Sequence, residues 1–110
     1  METILKDGKN WPLQQELSAV SNITVAVTNP ADCQLLPANP NRKFLIVMND
    51  EPVAGRDIFL AFGVTAELFK GIQLVNAGGK YLMTRENLFT GEIRAIAVVN
   101  GTAAVIAEGT

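Results

Sequence analysis

The stretch Glu92-Ile93-Arg94-Ala95-Ile96-Ala97-Val98-Val99-Asn100-Gly101-Thr102-Ala103-Ala104-Val105-Ile106-Ala107 is two strand-forming runs divided by Asn-Gly. Asn-Gly is the strongest short-range turn signal, because the central residues of a type I′ turn need positive φ. The runs are too short and too rich in Val and Ile to suggest a helix between turns.

Working outward, the same grammar recurs. Ile23-Thr24-Val25-Ala26-Val27-Thr28 alternates and is β-branched, and Asn29-Pro30-Ala31-Asp32 turns it. Cys33-Gln34-Leu35-Leu36 reads as a short strand before the rigid Pro37-Ala38-Asn39-Pro40-Asn41 connection. Arg42 to Asn49 is the strongest strand, with Phe44-Leu45-Ile46-Val47-Met48 apolar throughout, and Asp57 to Phe62 is another, ended by Gly63. Gly71 to Val75 and Lys80 to Thr84 flank Asn76-Ala77-Gly78-Gly79, which predicts a hairpin. Val64 to Lys70 reads equally as a helical turn with Leu68 and Phe69 inward or as a loop. About eight short strands at regular spacing predict an all-β fold, an antiparallel β-sandwich or jelly-roll-like barrel.

Residues 1–22 read differently. Asp7-Gly8-Lys9-Asn10 signals a turn, Pro12 favours an extended Trp11, and Gln14 to Val20 fits one or two helical turns with Leu13, Leu17 and Val20 on one face. Such a helix is too short to stand alone. The expected organisation is an extended N-terminal arm, residues 1–22, and a β-sandwich domain, residues 23–110. Trp11, the sole Trp, either caps the domain's own core or anchors the arm on a neighbouring subunit.

Composition narrows the chemistry. The 110 residues suit one domain with one core. There is no His and one Cys, so Ser/His/Asp and Cys/His arrangements are excluded, and Cys33 reads as a small hydrophobe. No intrachain disulfide is possible. Asn49-Asp50-Glu51 offers oxygen ligands without the spacing of a calcium loop, and Gly78-Gly79 reads as a turn, not a phosphate cradle. The expectation is no metal, no cofactor and no enzymatic activity. A net charge of −2 with scattered basic residues, only Arg42 and Lys43 adjacent, argues against nucleic acid as partner. No apolar run approaches the length of a membrane-spanning helix, and Met1-Glu2-Thr3 opens no signal-peptide core, so synthesis and assembly in a cytoplasm are expected.

The strand faces carry the functional hint. Phe44, Ile46 and Met48 share one face and Leu45 and Val47 the other, and Ile93, Ala95, Ala97 and Val99 likewise oppose Ile96 and Val98. An antiparallel sheet with one wet face should alternate apolar with polar. Strands apolar on both faces are covered either by loops and the arm or by other chains. On the second reading, the candidate partner-binding residues are Trp11, Leu13 and Leu17 in the arm and Leu45, Val47, Ile96 and Val98 on the sheet.

Asn41-Arg42-Lys43-Phe44-Leu45-Ile46 with Asn49, Asp57-Ile58 with Leu60 and Phe62-Gly63, Gly71-Ile72 with Leu74, Gly78-Gly79 with Tyr81, Thr90-Gly91 with Ile93 and Ala95-Ile96-Ala97, and Val105 with Glu108-Gly109 occur in this order. The pattern, over roughly residues 39–109, resembles a small β module of tailed-phage virion proteins, and the chain's length suits the capsid decoration, or staple, proteins of short-tailed phages. The resemblance implies a β-sandwich on the outer capsid surface that bridges major capsid subunits, with the major capsid protein as partner, a homodimer or other homo-oligomer as the working form, the virion as location, and no catalytic residue to carry over. The alternative of another class is a tail or fibre module that recognises a host-surface glycan, for which Trp11 and Tyr81 are the available aromatics. A cupin-type enzyme is disfavoured because its usual metal needs histidines.

Overall fold

The computed structural model describes residues 17–110 and, before them, the backbone of Ile4–Leu5 and Asp7–Lys9. Those two short segments are β1 and β2 and pair with each other, so Asp7–Lys9 is strand rather than the expected turn. Eight strands follow: β3 (Val20–Val27), β4 (Cys33–Leu36), β5 (Phe44–Asn49), β6 (Ile58–Phe62), β7 (Ile72–Leu74), β8 (Lys80–Met83), β9 (Ile93–Ala97) and β10 (Thr102–Gly109). They form two four-stranded antiparallel sheets, β3-β10-β5-β8 and β4-β9-β6-β7, here the first and second sheet. The fold is all-β, and no helix occurs among the described residues. Val64 to Lys70 is a loop, and Val20 opens β3 instead of closing a helical turn.

The sheets face each other across one core. Val27, Leu45, Val47 and Ile106 come from the first, and Ile58, Leu60, Leu74 and Ile93 from the second. Small Ala95, Ala97 and Ala104 let the layers approach. The Phe62 ring packs against Tyr81 and Phe89, with centroids 5.4 and 5.6 Å away.

The expected hairpin over Asn76–Gly79 is not formed. β7 pairs with β6 in the second sheet, whereas β8 pairs with β5 in the first. The turn itself forms, closed by Gly79 N–H donating to Val75 O at 3.1 Å, but it carries the chain from one sheet to the other. Asn49 sets its direction: its N–H donates to Gly79 O and its C=O accepts from Gly78 N–H. A Cβ at Gly79 would lie 2.4 Å from Val75 N, so only glycine fits. Asn100-Gly101 is likewise a turn between sheets, with Gly101 at φ 87° and Thr102 N–H donating to Val99 O.

Two polar knots hold the ends of the sandwich. The fully buried Arg42 donates from Nε to Glu108 Oε2 at 2.7 Å, from Nη1 to the carbonyls of Phe89 and Gly91, and from Nη2 to that of Pro37. Asn39 Nδ2 donates to the same Glu108 oxygen. At the other knot, buried Asn49 donates from Nδ2 to the carbonyls of Arg56 and Leu74, and its Oδ1 accepts from Glu51 N–H. Every polar side chain taken into this core meets partners, as burial demands.

Candidate docking surface

Register decides which side of each strand meets solvent. On β5 the inward residues are Leu45, Val47 and Asn49, all fully buried, and the outward ones are Phe44, Ile46 and Met48, all partly exposed. This corrects the expectation that Leu45 and Val47 present a docking face: both lie between the sheets, and the longer apolar set is the one facing out. The cause is Asn49, a polar residue whose side chain is held on the core side by its bonds to the carbonyls of Arg56 and Leu74. Ile96 does point away from the core, but its exposure is 6%. It packs with Phe59 and Ala66 beneath the loop after β6, so it is covered by its own chain. Val98, just beyond β9, and Leu17 remain exposed. Trp11 and Leu13 lie outside the described residues.

The outer face of the first sheet is therefore an apolar surface of this fold. The ladder β3-β10-β5-β8 aligns Val20, Gly109 and Phe44 in one row, Asn22, Ala107, Ile46 and Leu82 in the next, and Thr24, Val105, Met48 and Lys80 in a third. Val20 is 51% and Leu82 49% exposed, and the central Ile46, Met48, Val105 and Ala107 are half-buried by one another. Lys80 is the one charge in these rows. At one corner the Leu17 side chain lies over Gly109 beside Phe44, in the space a Cβ at Gly109 would need. Ser18 and Ala19 both donate from N–H to Thr110 O. The chain before β3 thus enters along the edge of this face.

The outer face of the second sheet is different. Gln34, Arg94, Phe59 and Gln73 point outward there, and the 63–71 loop folds over Phe59 and Ile96 with Ala66 and Leu68. Asp32 locks the loop: its Oδ2 accepts from Ala66 N–H at 2.9 Å and from Arg94 Nε at 2.7 Å, while Oδ1 accepts from Arg94 Nη2. The Arg94 guanidinium holds the Asp32 carboxyl below its ordinary range, and the pair raises the arginine's pKa further. Arg94 also reaches Glu92, which accepts from Gln34. Phe69 is 78% exposed with its ring 5.3 Å from Phe59, so it lies at the loop's outer surface and not inward.

A cleft of about 410 Å³ runs beside this loop between Leu60, Phe62, Val64, Lys70 and Ile72, bordered by the Lys70–Glu67 ion pair at 2.9 Å. No group of three or more Cys, Asp or Glu side chains is arranged to hold a metal ion among the described residues. Tyr81 does not form an open aromatic shelf, because its ring packs at a tilt against Phe62 and its hydroxyl accepts from Asn87 Nδ2 at 3.1 Å.

Compared with known proteins, the chain matches no family model, no curated protein and no solved structure.

Sequence reasoning found the two-faced strands but took Leu45 and Val47 as the docking side of β5. The overlooked signal was Asn49: in a strand closed by a polar residue, parity depends on whether that residue faces out or is bonded inward.

Proposed function

We propose that this chain is a structural virion protein that decorates the outer surface of a phage capsid and stabilises it by bridging major capsid subunits. The observation that carries the reading is the half-exposed apolar face of the first sheet, with the N-terminal chain entering along its edge. A decoration protein works through many repeated contacts, and engaging two capsid sites at once multiplies weak affinities. A face built from Ile46, Met48, Val105 and Ala107 suits such contacts, because it is apolar and nearly uncharged. The sequence resemblance over residues 39–109 points the same way. Nucleic acid and membrane are not partners on this reading, and the major capsid protein is.

The test is co-sedimentation of the purified protein with empty shells from a panel of short-tailed phages. The expected result is pelleting at a fixed stoichiometry with one or more shells. Met48→Glu places a charge mid-face beside Lys80, so the variant should stay folded and be left in the supernatant. Removing residues 1–16 should weaken pelleting without unfolding the sandwich. A cut at residue 22 is no clean test, because it would take the first residues of β3. Protein that ignores every shell yet is retained on a glycan array would shift the assignment to a tail or fibre module.

A further inference from the structure

The sandwich has four sheet edges, and three are guarded. β4 is four residues long with a register shift between Gln34 and Leu36, β7 has three residues, and β8 has four and begins with Lys80. Short strands, bulges and edge lysines are the usual means of stopping strand addition. β3 has none of them. It runs eight residues against β10 without a register shift, and no charge occurs from Leu17 to Ala31.

The open side of β3 can be read residue by residue. Ala19 and Thr110 exchange both backbone hydrogen bonds, at 3.2 and 2.9 Å. In an unshifted antiparallel ladder the residues facing β10 then alternate as Ser21, Ile23 and Val25, and Val20, Asn22, Thr24 and Ala26 turn their N–H and C=O groups away from it. Among the described residues no strand pairs with that side. Apolar side chains stand at the same rim: Val20 is 51% exposed, and Ile23, although on the core side of its strand, is 41% exposed.

We infer that β3 is a dimerisation edge, occupied by β3 of a second copy in antiparallel register about a two-fold axis at Ile23. The register is fixed by self-complementarity. With Ile23 opposite its symmetry mate, Val20 faces Ala26 and Asn22 faces Thr24, so every outward N–H and C=O of both strands finds a partner, and core-side residues meet core-side residues. A shift by one residue would place outward groups against occupied ones and flip the faces. A two-fold contact needs a patch complementary to itself, and an uncharged edge meets itself without repulsion. The first sheets join into one eight-stranded sheet, with their apolar outer faces on the same side. This inference rests on the strand edge and not on the capsid reading, so a protein that dimerises and ignores shells upholds it.

The test begins with the solution mass of the full chain by sedimentation at about 0.1 mM, where a dimer is expected and a monomer overturns the inference. Thr24→Pro removes an outward N–H while leaving the bonds to β10, a substitution edge strands tolerate. It should weaken dimerisation about 50-fold or more with an unchanged far-ultraviolet spectrum, and a folded variant that dimerises as tightly as the parent overturns the inference. The register is read by crosslinking in a Cys33→Ala background. Ile23→Cys should oxidise to a covalent dimer, since residues opposed at a non-hydrogen-bonded site lie about 4.5 Å apart, within disulfide range. Ser21→Cys, on the same face but about 13 Å from its mate in this register, should not. Equal crosslinking of the two, or none at Ile23→Cys, overturns the register.

Discussion

The outer faces of the two sheets pose the same problem and meet it differently. Each has apolar residues pointing away from the core, Ile46 and Met48 on one, Phe59 and Ile96 on the other. The second sheet covers its pair from within the chain: the 63–71 loop lays Ala66 and Leu68 over them, and Asp32 and Arg94 fasten it. The first sheet leaves its set half-exposed, with Leu17 over one corner. An apolar residue on an outward position therefore has two distinct meanings in one small fold. Under a fastened loop it is a satellite core, and on an open sheet it is a surface that another molecule would cover.

The sharpest break of this comparison is a charge placed one residue from the open face. Val47→Asp sets an unpaired carboxylate between the sheets, at a cost of more than about 4 kcal/mol, a large part of the total stability of a domain this size. The expected outcome is loss of the folded state by circular dichroism at 25 °C, whereas Met48→Glu, its neighbour on the open side, keeps the native spectrum. If both unfold, the open face is in truth a core.

Next in size is Arg42→Ala. It takes the charge partner from the Glu108 carboxylate, which is 13% exposed, and donors from the carbonyls of Pro37, Phe89 and Gly91. Breaking a buried pair from one side costs about 3–5 kcal/mol, read as a lowered urea midpoint with unchanged slope. Arg42 gathers the loops at one end of the sandwich and touches neither outer face, so the loss should be of stability alone.

Ile96→Ala probes the covered face directly. A buried Ile→Ala change typically costs about 2–5 kcal/mol, and a flexible cover that collapses onto the gap should keep it near 2. The readout is urea unfolding together with amide exchange, which should accelerate in residues 64–70 more than in β5. A cost equal to that of Leu60→Ala in the main core would make the loop a rigid third layer.

The sequence made some of this legible. Strand positions follow from β-branched runs between turn residues, and Cys33–Leu36 is expected and observed with the same limits. Turns at Asn76–Gly79 and Asn100-Gly101 were equally readable, because φ preference is local. Which sheet each turn leads to was not, because that depends on Asn49 gripping Gly78 and Gly79 across some thirty residues. Face assignment failed at β5 for a related reason. Five apolar residues in a row carry no parity, and the one polar residue of the strand, Asn49, is buried through bonds the sequence does not display. Ile96 was placed on the correct side of its strand, yet nothing in the sequence announces that residues 63–71 fold back over it. Arg42 and Glu108, sixty-six residues apart, gave no hint of their pairing.

The gentlest perturbation is pH, and it separates the two faces through Asp32. Arg94 holds the Asp32 carboxyl below its ordinary value of 3.8 in the folded state, so the folded protein binds this proton less readily than the unfolded chain. The stability this provides is fully present above the unfolded value and is lost as pH falls through the folded one. Asp32→Asn removes it at every pH. The parent should therefore be more stable than Asp32→Asn at pH 6, and the gap should close as pH drops below about 4, measured by thermal unfolding of both proteins across that window. The pair is partly solvent-exposed, so the gap at pH 6 should be the smallest of these effects and should shrink further in high salt. Because Asp32 also holds Ala66, protection of the loop amides should fall with the same pH profile, while the outer face of the first sheet, with Lys80 as its one charge, stays unchanged. A pH profile shared by both faces would mean that they are not independent and that the loop supports the whole sandwich.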